Sequence, residues 1–464
     1  MIDNLDRDAR RAPAVRGAGV IDDLHRGARQ VPAVRGAGVV DDLDRGARRV
    51  LAANWRQCAT VPAAALYPHQ WSWDSAFIAI GLRHLSPARA QRELESLLGA
   101  QWRDGRVPHI VFDPHVRADA YFPGPAFWRS GAVPGAPGVP TSGIVQPPAH
   151  ALAAWSTYLT DPATARARGF LPRIYPRLVR WHRYLTTRRD LTGSGLMSVV
   201  HPWESGMDNS PAWDSPLSRV IPVPATAFTR RDLNHGVAAE RPTDEDYGRY
   251  VRLARDYRDA GYADSLQVHG FAVEDPLCNA LLAAGEHALA SMAAELGRDP
   301  QPHLAAAARL TAALVSTLYD PAAGMFFPRD AHTSHLIRTY SVGGLAPLVV
   351  PDLPVAAELV RTALSDRFRL HEACPLPSYD LTAADHDPGR YWRGPGWINT
   401  SWLFWHGLRL HGETALADDL RRRLLDRVRT AGFREYLDPL TGAGHGASDF
   451  SWTAALTLDL LRAA

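Results

Sequence analysis

Five segments are dense in tryptophan, tyrosine and side chains that can move protons or accept hydroxyl groups. They read YPHQWSWDS (67–75), VPHIVFDPH (107–115), HPWESGMDNSPAWD (201–214), YWRGPGWINTSW (391–402) and FREYLDPLTGAGHGASDFSW (433–452). Aromatic planes with a polar edge suit sugar rings, whose C–H faces are apolar and whose rims are not. Asp208, in WESGMD, stands near Trp203 and four residues after Glu204. An aromatic, partly dry pocket raises a carboxyl pKa, which keeps a proton available for a leaving oxygen. The same residue could instead make an Asx-turn or N-cap ahead of Asn-Ser-Pro. Glu435, in REYLDP, could deprotonate a water from the far side of such a pocket, or simply pair with Arg434 on the surface. Inversion at a sugar carbon would need roughly 6.5–9.5 Å between the two carboxyls, against about 5–5.5 Å for a covalent route. Trp71, Trp73 and Asp74 put a carboxylate between aromatic planes, where it can accept two sugar hydroxyls. For Asp74 the competing role is N-cap of the helix SAFIAIGLRHL; for Trp73 it is the core.

Composition removes other chemistries. All 51 basic residues are arginine, so Schiff-base, pyridoxal-phosphate and P-loop mechanisms lack their amine. A formal net charge of +2 gives no footprint for nucleic acid or an anionic membrane. Cys58, Cys278 and Cys374 are odd in number and widely separated, which reads as buried free thiols rather than a disulfide framework or zinc site. GAGHGA (442–447) follows no strand, HEACP (371–375) lacks the second histidine of a zinc protease, and there is no G-x-S-x-G elbow. No cofactor and no metal is called for. With neither an eighteen-residue apolar run nor an apolar h-region at the start, a cytoplasmic location is expected.

The elements that must position these residues are helices. Segments such as PARAQRELESLLGAQW, FLPRIYPRLVRWHRYLTTRRD, PLCNALLAAGEHALASMAAEL and ALADDLRRRLLDRVRTAG repeat apolar residues every three or four positions. About a dozen such helices fit after residue 40, with starts marked by pairs such as Ser86–Pro87 and Asp161–Pro162. Long Pro/Gly/Trp-rich loops lie between them at 62–75, 103–147, 192–242, 324–341, 375–397 and 432–450, and loops of that length in a compact chain are usually functional. Before the helices, Ile2–Val20 and Ile21–Val39 agree at 14 of 19 positions, and a third copy from Val40 runs into the fold. Two copies are too few for a stacked solenoid. Residues 1–39 are therefore expected to be a duplicated, mobile leader, and 40–464 one catalytic domain.

Taken in order, WESGMDNSP followed by a distant EYxxP…FSWTA resembles glycoside hydrolase family 63, closest to its bacterial branch acting on mannosylglycerate and glucosylglycerate. The resemblance spans roughly residues 45–462. It implies an all-α, (α/α)6 barrel with long loops forming the mouth, and hydrolysis with inversion. On that footing Asp208 is the general acid and Glu435 the base. Tyr67, Trp71 and Asp74 belong to the sugar subsite, with Trp73, Trp203 and Glu204 beside them. Tyr391, Trp392 and Trp397 form an aromatic wall, with Arg393 orienting a carboxylate there, and His109 and Gln146 match further pocket positions. A glycerate aglycone needs a cation, here an arginine, whose planar fork fits a carboxylate. The segment RPTDEDYGRY supplies Arg241 and Tyr247 as that clamp, while Asp244, Glu245 and Asp246 suit a helix's first turn. Ser448 stands where some relatives carry a larger polar residue.

The expected protein is thus an α-glycoside hydrolase of glucosylglycerate, with mannosylglycerate close behind. Its partner is a small-molecule glycoside, with no nucleic acid and no membrane, and a homo-oligomer is left open. Three rivals stand beside it. One is an α-glucosidase or trehalase acting on an uncharged glycoside, which would not need Arg241. Another is a non-catalytic sugar-binding toroid, which would not need two carboxylates. The last is a terpenoid cyclase, whose D-D-x-x-D cluster is missing.

Overall fold

The computed structural model describes residues 37–235 and 238–463, so most of the expected leader, 1–36, lies outside the described residues. Regular structure begins inside the predicted leader, at Ala37, because the third repeat copy is already the first helix, α1 (Ala37–Ala53). Its Leu43, Ala47, Val50 and Leu51 are buried against the core.

Eleven more helices of nine or more residues follow among the described residues. They are α2 (Ser72–Leu82), α3 (Pro87–Gly99), α4 (His150–Thr160), α5 (Phe170–Arg188), α6 (Asp244–Asp259), α7 (Pro276–Glu295), α8 (Gln301–Leu318), α9 (Ala356–Leu364), α10 (Ile398–Leu410), α11 (Thr414–Ala431) and α12 (Ser451–Arg462). Two patterns separate them. On α8 only Ala307, Leu310, Leu314 and Leu318 are buried, and on α11 only Ala417, Leu420, Leu424 and Val428, so each lays one stripe on the core and leaves the rest in water. Every residue of α2 is buried, and nearly every residue of α7, α10 and α12. A helix apolar all round must be enclosed.

The enclosed elements form a closed ring. α2 packs on α4, α4 on α7, α7 on a pair of 3-10 turns (Val342–Gly344 and Ala346–Val349), those turns on α10, α10 on α12, and α12 back on α2. α1, α3, α5, α8 and α11 lie against this ring from outside. This is the (α/α)6 toroid, with α6 added within a long loop. The starts marked in the sequence are real caps: Ser86 accepts the Arg89 N–H and Asp161 the Thr164 N–H, each with proline at the first helical position. Of the three cysteines, Cys278 and Cys374 are buried free thiols, whereas Cys58 is exposed. Among the described residues, no helix is long and apolar enough to cross a membrane.

Short ladders pin the loops over one end of the ring. Gln70–Trp71 pairs with Ile110–Val111, and Tyr436–Leu437 with Gly444–His445; Ser198–Val199, Val273–Glu274 and Arg329–Asp330 make a three-stranded sheet. The N-termini of α2, α10 and α12 open onto this end. Each has an aromatic residue at its N-cap (Trp71, Trp397 and Phe450), and none of the three makes a side-chain capping bond.

Candidate active site

At this end a cleft of about 820 Å³, its open mouth included, is lined by Tyr67, Trp71, Trp73, Asp74, His109, Gln146, Trp203, Asp208, Arg241, Tyr247, Tyr391, Trp392, Trp397 and Glu435. The five sequence segments therefore converge on one place. Two of the residues assigned to the site from the sequence lie elsewhere, Glu204 and Arg393.

Asp208 is carried on a short arc after the 3-10 turn Pro202–Ser205. Gly206 takes the left-handed conformation (φ +71) there, and a Cβ on it would come within 2.6 Å of the Trp73 ring. Trp213 Nε1 donates to the Met207 carbonyl at 2.7 Å, and Tyr250 Oη donates to the Asp208 carbonyl at 2.7 Å. No described side chain hydrogen-bonds the Asp208 carboxyl. Withdrawal from water raises its pKa to about 7, helped by the negative charges of Glu435 and Asp232 and opposed by Arg241.

Glu435 is 1% exposed and meets donors on both oxygens. Tyr67 Oη and Tyr391 Oη donate to Oε1 at 2.9 and 3.2 Å, and the Ala447 N–H donates to Oε2 at 2.9 Å. Arg241 lies 3.5 Å from Oε2, donates to Tyr67 Oη at 3.0 Å, and covers the Tyr391 ring at 4.6 Å. Tyr391 reaches this position with φ +35, an uncommon angle for a bulky residue.

Asp74 is not an N-cap. The helix begins at Ser72, so Asp74 falls in the first turn of α2, and burial raises its pKa well above the ordinary range, with Glu435, Glu93 and Asp208 adding to the shift. Trp73 lines the cleft and also packs edge-on against Phe77 and Trp452. Gln146 Oε1 accepts the Trp73 N–H at 3.1 Å. His109 lies parallel to Trp203, and burial holds its pKa down to about 3, so the ring is neutral and its Nδ1 has no partner among the described residues. Trp392 stacks flat on Trp397 at 4.0 Å, and its N–H donates to Asn209 Oδ1 at 2.9 Å, linking the aromatic wall to the residue after Asp208. Tyr247 Oη donates to the Phe122 carbonyl at 3.0 Å.

The two corrections have clear causes. Arg393 turns outward, where it binds Asp214 through both terminal nitrogens at 2.9 and 2.8 Å and Asp385 at 3.3 Å. It straps two loops together and leaves the cleft untouched. Glu204 is wholly buried behind the cleft in an ion pair with Arg189. Ser448 is exposed and is not part of the lining. Sequence reasoning missed Tyr121, Asp232, Phe450 and Trp452, all of which line the cleft. Phe450 had a signal: an aromatic residue at the N-cap of a helix, where Ser, Thr, Asp or Asn is preferred. Asp232 had none, being one charge in a loop, gripped by Arg230 at 2.9 and 2.7 Å.

The geometry is that of a sugar-processing site, and comparison with known proteins agrees. The sequence profile described as the mannosylglycerate hydrolase MGH1-like glycoside hydrolase domain matches residues 67–453. A mannosylglycerate hydrolase of Rubrobacter radiotolerans is 40% identical over 418 residues, covering 88% of this chain and 94% of that one. A glucosylglycerate hydrolase of Mycolicibacterium hassiacum is 38% identical over 428 residues, covering 87% and 94%. The crystal structure of a GH63 mannosylglycerate hydrolase from Thermus thermophilus, in complex with Tris and D-glycerate, superposes with a TM-score of 0.82 at 41% identity over 90% of this chain and 99% of that one.

Proposed function

The chain belongs to the MGH1-like family of glycoside hydrolases, and from that premise we propose that it hydrolyses glucosylglycerate and mannosylglycerate with inversion. The observation that carries this reading is the contrast between two carboxyls in one aromatic cleft. Asp208 has no side-chain hydrogen-bond partner among the described residues and a pKa of about 7, whereas Glu435 faces two phenols, a backbone N–H and a guanidinium. The first suits a proton held for delivery, the second an oxygen that receives one.

In this mechanism the hexose ring lies against Trp71 and Trp392, with Asp74 and the neutral His109 taking its hydroxyls. Glu435 removes a proton from a water as the water oxygen attacks C1. The C1–O bond breaks with its electron pair going to the glycerate oxygen, which takes the proton of Asp208. The products are free hexose and glycerate; Asp208 ends as the anion and Glu435 as the acid, and proton exchange with solvent resets both.

Arg241 and Tyr247 hold the glycerate carboxylate. Because Arg241 also touches Glu435 and Tyr67, removing it weakens catalysis on any glycoside, so a simple loss of activity does not identify the aglycone. The informative quantity is a ratio. Arg241→Ala is expected to lower kcat/KM about tenfold more for glucosylglycerate than for the uncharged glucosylglycerol, the worth of one charge-assisted hydrogen bond. Equal losses would remove glycerate from the assignment and favour a glucosidase of neutral substrates. Proton NMR during hydrolysis of either glycerate compound should show the β-hexose first, and initial α-hexose would contradict inversion. A wild-type protein that binds these compounds and cleaves none would instead be a binding toroid.

A further inference from the structure

The conspicuous feature behind the cleft is a buried cluster of charge that touches no substrate space. Arg189 and Glu204 are each 0% exposed. Glu204 Oε1 accepts from Arg189 at 2.7 Å and from the Val145 N–H at 3.1 Å; Oε2 accepts from Arg189 at 2.7 Å and from the Val200 N–H at 2.8 Å. Four donors in fixed directions occupy this one carboxylate. Arg189 continues to Asp264 and Tyr184 Oη, both at 3.0 Å, and Arg106 reaches the same Asp264 at 3.4 Å. Two guanidinium groups thus meet three carboxylates, Glu204, Asp264 and the more exposed Asp104, which Arg106 binds at 2.8 Å.

A buried ion pair contributes little net stability compared with well-packed apolar groups, but its directional bonds fix what is attached to it. What is attached here is the arc to Asp208. Glu204 sits on the turn Pro202–Ser205; Ser205 Oγ accepts the Met207 N–H at 3.0 Å, and Gly206 lies against Trp73. Only Ser205, Gly206 and Met207 separate Glu204 from the proposed proton donor.

We infer that Arg189 and Glu204 are positioning residues for proton delivery, setting where the Asp208 carboxyl stands relative to the glycosidic oxygen. This rests on the reading of Asp208 as the acid. It differs from a general scaffolding role in a measurable way. A glycosyl fluoride needs no acid: its C1–F bond breaks with the pair leaving as fluoride, while water adds to C1 and gives its proton to Glu435. A misplaced Asp208 therefore slows glycerate release and spares fluoride release.

The test compares α-glucosyl fluoride and glucosylglycerate on wild type, Glu204→Gln, Arg189→Lys and the charge-neutral double variant Arg189→Met/Glu204→Gln, each checked for folding by circular dichroism. The double variant guards against misfolding caused by an unpaired buried charge. Expected in the folded variants is a fall of about 100-fold in kcat on glucosylglycerate, with the fluoride rate within about threefold of wild type. Parallel loss on both substrates would make the pair a scaffold of the whole site, and no loss on either would remove its role; both outcomes overturn the proposal. Misfolding of all three variants would likewise assign the pair to the scaffold. Asp208→Asn is the control. It should reproduce the selective pattern, and if it does not, the assignment of the acid fails rather than the link from Glu204.

Discussion

A general acid works only while it carries its proton, and a carboxyl in water has lost it by neutral pH. As the proposed acid, Asp208 retains a share of its proton near neutral pH because burial raises its pKa to about 7. The sign of the pH dependence follows. Below that value the acid is loaded, and above it the fraction of competent enzyme falls, so kcat/KM should decline as pH rises through about 7. A rate profile from acidic to alkaline buffer would show this limb. Asp208→Asn should lower kcat on a glycerate glycoside by roughly 10²–10⁴-fold. A profile still rising above neutrality would contradict Asp208 as donor. At this scale Trp71 and Asp74 could be singled out because their neighbours are aromatic, and Glu435 through the family resemblance of its segment; all three line the cleft. Glu204 shares that neighbourhood and points the other way, because side-chain direction in an irregular turn is set by partners such as Arg189, which lies outside the motif.

The helices show the same division between what local pattern dictates and what the tertiary structure decides. Outer helices announce themselves through stripes such as 417/420/424/428. The fourth position of the inner ring does not: Gly343, Gly344 and Pro347 break any helical period, and two 3-10 turns fill the place. The inner ring also requires close approach. A Cβ at Gly81 of α2 would lie 2.2 Å from the Ala455 carbonyl of α12, whereas one at Gly99 of α3 would meet nothing within 4 Å. Gly81→Ala is accordingly expected to destabilise the fold by about 3 kcal/mol, and Gly99→Ala to leave it unchanged or stabilise it by about 0.5 kcal/mol. Thermal unfolding distinguishes them, and equal melting temperatures would contradict this packing. The aromatic N-caps of α2, α10 and α12 forgo about 1 kcal/mol each relative to Ser or Asp. Local sequence preference gives way there because those positions face the cleft, as expected where function overrides local rules.

For the whole molecule, the ring accounts for the chain from Ala37 onward. A protein beginning at residue 37 should therefore fold and hydrolyse substrate like the full chain, while one beginning after Ala53 should lose α1, its buried Leu43, Val50 and Leu51, and with them the partner of α12. Expression, melting temperature and kcat/KM of the two truncations check this. A large loss on removing residues 1–36 would show that the repeats do more than precede the fold. The repeat is legible in the sequence, and its third copy, from Val40, lies within α1. The seam of the ring has a temporal consequence. Asp74 stands on the first inner helix and Glu435 just before the last, and those two helices are neighbours that close the circle. A chain still being synthesised has Asp74 long before it has Glu435, so on the roles proposed for these two carboxylates activity switches on in a single late event, after α12 clears the ribosome.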